Sequence, residues 1–155
     1  MALRYITNYK KDDVLRKRSK YVDKVDKRTL QLLDDMAETM YKKNGVGLAA
    51  PQVGILKRVI VVDIGDGLMK LINPEIVERD GNQQDTEGCL SIPGITGEVN
   101  RPYKVKLKAI NEIGKDVEIE AIGLLARAFC HEIDHLDGVL FIDKVVYGTI
   151  KNTNI

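Results

Sequence analysis

The chain has 155 residues, of which 24 are lysine or arginine and 23 are aspartate or glutamate, so its formal net charge is +1. This balance gives no reason to expect specific binding to nucleic acid or to an anionic membrane surface. No apolar run approaches the roughly 18 residues that a membrane span requires, and the N-terminal sequence MALRYITNYK lacks the apolar core of a signal peptide. We therefore expect a cytoplasmic protein in which residues 1–155 form a single domain.

The first predicted element is an amphipathic helix over residues 27–43. Apolar residues recur there at helical spacing, Asp26 precedes them as an N-cap, and Asn44-Gly45 follows as a stop signal. The next stretch, GVGLAAPQVG at residues 45–54, is rich in small residues and is predicted to be a loop or an irregular edge.

The centre of the chain is predicted to be antiparallel β-structure. Residues 58–64, RVIVVDI, are bounded by the turn sequence GDG and predict a hairpin with residues 68–73. Residues 103–109 and 116–122 alternate apolar and charged side chains, which is typical of half-buried strands. The polar stretch at residues 79–88, RDGNQQDTEG, leads into CLSIPG and is given no secondary structure.

The last predicted element is a helix within GLLARAFCHEIDHLDG at residues 123–138, closed by Gly138. Its almost continuous apolar surface indicates that it is buried inside the protein. A helix, then several strands, then a buried helix predict an α+β fold.

Both histidines of the chain lie in HEIDH at residues 131–135. A separation of four residues places His131 and His135 on one face of a helix, and a glutamate directly after the first histidine is the arrangement found in metal-hydrolase helices. The alternative is a polar face with local ion pairs. Because unpaired polar groups are costly to bury, we favour a metal site on this buried helix.

A catalytic centre of this type usually takes three protein ligands and one water molecule. Beyond His135 the chain has no histidine or glutamate, and its only acidic residues are Asp137 and Asp143. Cys130 and Asp137 are rotated away from the face that carries the histidines, and Cys130 is interpreted as a small buried apolar residue. The sequence alone leaves the third ligand open between an aspartate and a residue further upstream.

Cys89, in EGCLS, is the preferred upstream candidate. The cytoplasm is reducing, so Cys89 and Cys130 are expected to be free thiols. A thiolate with two imidazoles would give a soft, roughly tetrahedral site with one position left for water.

Three segments together resemble the signature motifs of the peptide deformylases, enzymes that remove the formyl group from the N-terminal methionine of new bacterial polypeptides. They are GVGLAAPQ at residues 45–52, EGCLS at 87–91 and HEIDH at 131–135, in the family's order and spacing. The resemblance implies an α+β fold in which small antiparallel β-sheets pack around a buried HExxH helix, with a further helix near the N-terminus.

The resemblance also implies roles for particular residues. Cys89, His131 and His135 would bind the metal, and Glu132 would act as general base and then as general acid. The oxyanion hole would be formed by the side chain of Gln52 and the backbone N–H of Leu90.

The peptide substrate would bind as an added β-strand. Its backbone would lie along Gly45, Val46 and Gly47, with the carbonyl group of Gly88 opposite. The implied cofactor is one divalent metal ion, with Fe2+ in first place and Zn2+, Ni2+ or Co2+ as substitutes. The implied partners are N-formyl-methionyl nascent peptides, with the ribosome as a further candidate, and the protein is expected to be a monomer.

Two other functions remain open at the level of sequence. One is a metal-dependent peptidase or amidase that uses the same water chemistry on a different acyl group. The other is a non-catalytic protein whose metal ion only stabilises the fold.

Overall fold

The computed structural model describes residues 2–153, which contain two α-helices, eight β-strands and three short 3₁₀ turns. The helices are α1 (Lys27–Lys42) and α2 (Gly123–Leu136), and the 3₁₀ turns span Asp13–Arg16, Ala50–Val53 and Phe141–Asp143. The strands are β1 (Gly47–Ala49), β2 (Val59–Val62), β3 (Met69–Asp80), β4 (Gln83–Cys89), β5 (Ile92–Arg101), β6 (Lys104–Ile110), β7 (Asp116–Ile122) and β8 (Lys151–Asn152).

The strands form two antiparallel sheets. The larger has the order β1-β2-β3-β6-β7 and the smaller has the order β4-β5-β8. Among residues 2–153, β1 is paired only with β2 and β4 only with β5. β1 and β4 are therefore outer strands of their sheets, as are β7 and β8 at the opposite ends.

Strand β2 is buried on both of its faces, which explains its uninterrupted apolar sequence. Val59 and Val61 pack in a cluster with residues of α1, whereas Ile60 and Val62 pack in a cluster with residues of α2. Helices on opposite faces of the same strand thus account for both hydrophobic layers of the larger sheet.

Helix α2 packs against strands of both sheets, as the prediction of a buried helix required. It is followed by Gly138, whose φ is +76° and whose Cα approaches the N-terminal segment closely. A Cβ at Gly138 would lie 2.6 Å from the carbonyl oxygen of Arg16, so only glycine fits this turn. The α+β fold, with small antiparallel sheets around a buried helix, is confirmed.

Helix α1 begins and ends close to the predicted positions. The Asp26 carboxylate accepts a hydrogen bond of 2.8 Å from the backbone N–H of Thr29, which is the expected N-cap. After the helix, Asn44 has a φ of +58°, and the N–H of Gly45 donates to the carbonyl oxygen of Met40 at 2.9 Å. This tight stop brings Gly45 directly to the start of β1.

The smaller sheet is where the prediction from sequence was incomplete. Residues 79–88, to which no structure was assigned, contain the end of β3 and most of β4, while β5 and β8 were not predicted at all. Most side chains of β4 are exposed, so its sequence lacks the alternation that marks a half-buried strand.

Cys89 and Cys130 are free thiols, as predicted. In the described part of the chain, neither helix combines the length and apolar character of a membrane span.

Candidate metal centre and active-site cleft

A cleft of about 550 Å³ lies between the two sheets and α2. One side is formed by Gly45, Val46 and Gly47 at β1, and the opposite side by Gly88 and its neighbours at the end of β4. Helix α2 contributes the following lining residues: Leu124, Arg127, Ala128, His131 and Glu132. The backbone segments that the sequence predicted to bind substrate therefore face the same cleft.

A cysteine and two histidines come together beside this cleft. Cys89 is the last residue of β4, and a register shift between Glu87 and Cys89 marks a β-bulge there, a feature that often re-aims a side chain. His131 and His135 lie one turn apart on α2. The Cys89 Sγ is 3.4 Å from the His135 Nε2, and the three potential ligand atoms all lie within 4.8 Å of one another.

These distances suit a divalent ion. Tetrahedral coordination, with metal–sulfur bonds of about 2.3 Å and metal–nitrogen bonds of about 2.0–2.1 Å, places sulfur and nitrogen ligands roughly 3.5 Å apart. The alternative third ligands are engaged elsewhere. Asp137 accepts a hydrogen bond from Arg58 at 2.8 Å, and Asp143 is paired with Arg16. Cys89 is therefore the residue that the fold brings to the two histidines.

Glu87 fixes the orientation of His131. A Glu87 oxygen lies 2.8 Å from the His131 Nδ1, which leaves Nε2 available to bind an ion. The same carboxylate accepts two hydrogen bonds of 2.9 Å from Arg101 and one from Arg127. Although burial opposes ionisation, the hydrogen bonds from Arg101 and His131 hold the pKa of Glu87 well below its ordinary value. Glu87 is thus a negative charge behind the candidate ligand His131.

The two imidazoles experience different electrostatic surroundings. Burial and the neighbouring charge of His131 lower the pKa of His135 well below its ordinary value, so this ring is neutral and keeps a lone pair. Burial also opposes a charge on His131, but the charge of Glu132 and hydrogen bonds to Cys89 and Glu87 raise the pKa of His131. The surroundings of His131 therefore favour a bound cation.

Glu132 is a buried carboxyl group with few partners among residues 2–153. Its side chain is buried, and burial raises the pKa of Glu132 to about 7. Within residues 2–153 its Oε1 has no hydrogen-bond partner. Its Oε2 lies against the Cα of Gly47, since a Cβ at that position would be only 2.6 Å away. A carboxyl group with this pKa is suited to take up and release a proton near neutral pH.

Gln52 brings an amide donor to the thiol. It lies in the 3₁₀ turn Ala50–Val53 and is almost completely buried. Its Oε1 accepts a hydrogen bond of 3.0 Å from the N–H of Ala49, and its Nε2 lies 3.4 Å from the Cys89 Sγ. Leu90, at the turn between β4 and β5, lines the same cleft.

Several residues near the site were not singled out from the sequence. Arg101 and Arg127, which hold Glu87, are buried and belong to no signature motif. The partner of His131 could have been anticipated, because a histidine ligand normally needs an acceptor for its second nitrogen and EGCLS contains Glu87. No comparable signal marks the two arginines.

The sequence profile of the family described as "Polypeptide deformylase" matches residues 3–149. The chain belongs to this family. It is 64% identical to the peptide deformylase of Acetivibrio thermocellus over 94% of this chain and 85% of that protein. It is 61% identical to the peptide deformylase of Alkaliphilus metalliredigens, over 94% and 99% of the two chains.

Solved structures of deformylases show the same fold. The crystal structure of the Thermotoga maritima peptide deformylase superposes with a TM-score of 0.91 at 47% identity, covering 94% of this chain and 99% of that one. The enzyme from Synechococcus elongatus, solved in complex with actinonin, superposes with a TM-score of 0.88 at 45% identity, over 92% and 79% of the two chains. Deformylases are metal-dependent hydrolases that remove the N-formyl group from nascent polypeptides, and the resemblance seen in the three motifs is confirmed.

Proposed function

We propose that this chain hydrolyses the N-formyl group of formyl-methionyl peptides in the cleft between β1 and β4, releasing formate. The observation that supports this most strongly is the convergence of a proton-accepting carboxyl group, an amide donor and a thiol–imidazole cluster in one cleft. The residues concerned are Glu132, Gln52, Cys89, His131 and His135.

Cys89, His131 and His135 would hold the divalent ion through Sγ and the two Nε2 atoms. Such an ion supplies Lewis acidity, which lowers the pKa of a water molecule from about 15.7 towards 7. Glu132 would accept the proton that this water loses, because its carboxyl group has a pKa of about 7 and an oxygen with no hydrogen-bond partner among residues 2–153. Glu132 then returns the proton to the amine that departs as formate is released.

The oxygen of the formyl carbonyl becomes negative as the tetrahedral intermediate forms. The Gln52 amide and the backbone N–H of Leu90 would donate hydrogen bonds to this oxygen without adding a charge to the cleft. Removing one such donor typically costs about 3–4 kcal/mol of transition-state stabilisation.

The substrate backbone would enter as an extended strand between the two sheets. Gly45, Val46 and Gly47 offer backbone groups on one side and the carbonyl of Gly88 on the other. The apolar side chains of Leu90, Ile92 and Leu124 also line the cleft and suit the side chain of methionine.

The deciding experiment compares three peptides with the same sequence and different N-termini: formyl-Met, acetyl-Met and free Met. We expect formate from the first and no turnover of the other two, whereas hydrolysis of the acetyl or unblocked peptide would indicate a different amidase or peptidase.

Cys89→Ala should lose bound metal in elemental analysis as well as activity. Full metal content in that variant would indicate that the third ligand is Asp137 or Asp143.

The ion is assigned as Fe2+, by the family resemblance. Activity of protein purified without oxygen should then decay in air and persist after exchange for Ni2+ or Co2+. A preparation whose activity is indifferent to oxygen would point to Zn2+. The non-catalytic alternative predicts no formate release with any of these ions.

The remaining assignments are a single domain over residues 1–155, a monomer, a cytoplasmic location and transient contact with the ribosome. Light scattering tests the oligomeric state, and co-sedimentation with ribosomes translating a formylated chain tests the contact. Limited proteolysis that releases two stable fragments would contradict a single domain.

A further inference from the structure

We infer that Ser91 is a positioning residue that orients the side-chain amide of Gln52 towards the reacting carbonyl group. This inference rests on the proposed function, in which Gln52 donates to the carbonyl oxygen. Ser91 is the last residue of the turn before β5, is completely buried, and does not line the cleft itself. Its effect on the reaction must therefore pass through Gln52.

The orientation of the Gln52 amide is determined by a backbone group. The N–H of Ala49 can only donate, so the Gln52 atom 3.0 Å away must be the carbonyl oxygen Oε1. The NH₂ group consequently points in the other direction, where it lies 3.2 Å from the Ser91 Oγ and 3.4 Å from the Cys89 Sγ.

The two hydrogens of this NH₂ group then have different partners. One is accepted by the Ser91 hydroxyl, which fixes the rotation of the amide plane. The other points towards the Cys89 side of the cleft, where the formyl group binds in the proposed reaction. Without the Ser91 acceptor, the amide would keep the bond from Ala49 and the longer contact of 3.4 Å with the Cys89 Sγ, and it would be less restrained against rotation about its Oε1 contact.

The N-terminal segment holds the backbones of both residues. The N–H of Thr7 donates to the carbonyl oxygen of Gln52 at 2.8 Å, and its hydroxyl donates to that of Pro51 at 3.2 Å. Two residues later, the N–H of Tyr9 donates to the carbonyl oxygen of Ser91 at 3.0 Å. The same short segment therefore ties the turn that carries Gln52 to the turn that carries Ser91.

A double-mutant cycle tests the inference with the full chain loaded with Ni2+. The variants are Ser91→Ala, Gln52→Ala and the double variant, and the readouts are kcat, KM and metal content. Losing an oxyanion donor costs about 10²–10³ in kcat, so misorienting it through Ser91→Ala should lower kcat roughly tenfold. KM and metal content should stay within about twofold of the parent. In the Gln52→Ala background, Ser91→Ala should have no further effect.

Ser19→Ala is the matched control, because Ser19 is also buried but its hydroxyl has no hydrogen-bond partner among residues 2–153. It should leave kcat unchanged. Should Ser91→Ala not fold, Ser91→Cys keeps a similar volume and a weaker acceptor and should give a smaller fall in kcat, again absent in the Gln52→Ala background.

Failure of the proposed function and failure of the inference about Ser91 give different results. Full activity of Gln52→Ala would overturn the role of Gln52 in the proposed function itself. Suppose that Gln52→Ala is impaired but Ser91→Ala lowers kcat by the same factor in the parent and in the Gln52→Ala background. That result, or a fall in kcat that follows a loss of bound metal, would overturn the inference about Ser91 alone. Unchanged kcat in Ser91→Ala would also overturn it.

Discussion

Two buried glutamates line the same cleft and have opposite surroundings. Glu87 is 6% exposed and Glu132 is 4% exposed, so burial penalises the charge of both. Glu87 receives hydrogen bonds from two arginines and faces a histidine nitrogen, and its pKa is held low. Glu132 has an oxygen without a partner in the described chain, and its pKa is raised to about 7.

The difference shows that hydrogen-bond partners, more than burial alone, determine the protonation of a carboxyl group in this protein. A permanently charged glutamate can orient a metal ligand but cannot exchange protons at neutral pH. A glutamate with few partners can exchange protons, and it occurs where the proposed reaction needs a proton carrier.

The largest effect is expected from Glu132→Gln, which keeps the size of the side chain and removes its proton exchange. Formate release should fall by about 10²–10⁴, while metal content stays at the parent level. Parallel measurement of both quantities checks this. Substantial turnover by Glu132→Gln would remove the functional distinction between the two glutamates.

A somewhat smaller loss is expected from Gly47→Ala. The added Cβ would meet the Glu132 carboxylate at 2.6 Å and displace it, and a misplacement of about 1 Å can cost 10²-fold in rate. Gly88→Ala is the matched control in the same cleft, since its Cβ would be 3.6 Å from the nearest atom. Equal kcat values for the two variants would contradict the steric role of Gly47.

Glu87→Gln should act on metal binding. Loss of the charge behind His131 is expected to weaken metal affinity by about 10- to 100-fold, measured by competition with a chelator. Arg127 would also lose its counter-charge, so urea unfolding should show a large destabilisation. The exposed pair of Arg16 and Asp143 provides the control, because Asp143→Asn should change stability by no more than about 1 kcal/mol. Unchanged metal affinity in Glu87→Gln would refute the anchoring role.

The smallest effect concerns a third buried carboxylate, Asp35, which lies on α1 away from the cleft. Burial opposes its charge, but donors from Ala2, Gln31 and Arg4 lower the pKa of Asp35 below 3.8. Its contribution to stability, about 1.5–3 kcal/mol for bonds to a charged group, is therefore present above about pH 4. It is lost as the pH falls through the lower folded-state pKa.

Asp35→Asn should accordingly lower the free energy of unfolding at pH 7 and differ less from the parent as the pH falls towards 3. Denaturant unfolding at several pH values measures this, and formate release at pH 7 should be unchanged. A stability difference that does not depend on pH would show that the charge of Asp35 is not involved.

Much of the fold was predictable because its signals are local. The helical spacing after Asp26, the β-branched run of β2 and the alternation in β6 and β7 each reflect which faces are buried. Strand β4 was not predicted because it is largely exposed and ends at a bulge, so it carries no such pattern. Strand β5 was not predicted because one proline and two glycines interrupt its sequence.

The same reasoning applies to the site. His131 and His135 could be proposed as metal ligands, and Cys89 preferred as the third candidate, because ligand chemistry restricts the residue types that can serve. Ser91, Arg101 and the segment from Thr7 to Tyr9 act through contacts between residues far apart in the chain. Such contacts depend on the tertiary structure and leave no local mark in a single sequence.

The edges of β1 and β4, which are unpaired among residues 2–153, bear on when a new polypeptide could be deformylated. A peptide that bridges these two edges must offer backbone N–H and C=O groups on both sides. A chain end that is already part of a helix or a sheet uses these groups in its own hydrogen bonds. The cleft would then select its substrate by the extended conformation of the peptide as well as by the formyl group. Deformylation by this protein would be confined to the interval before the beginning of a new polypeptide folds.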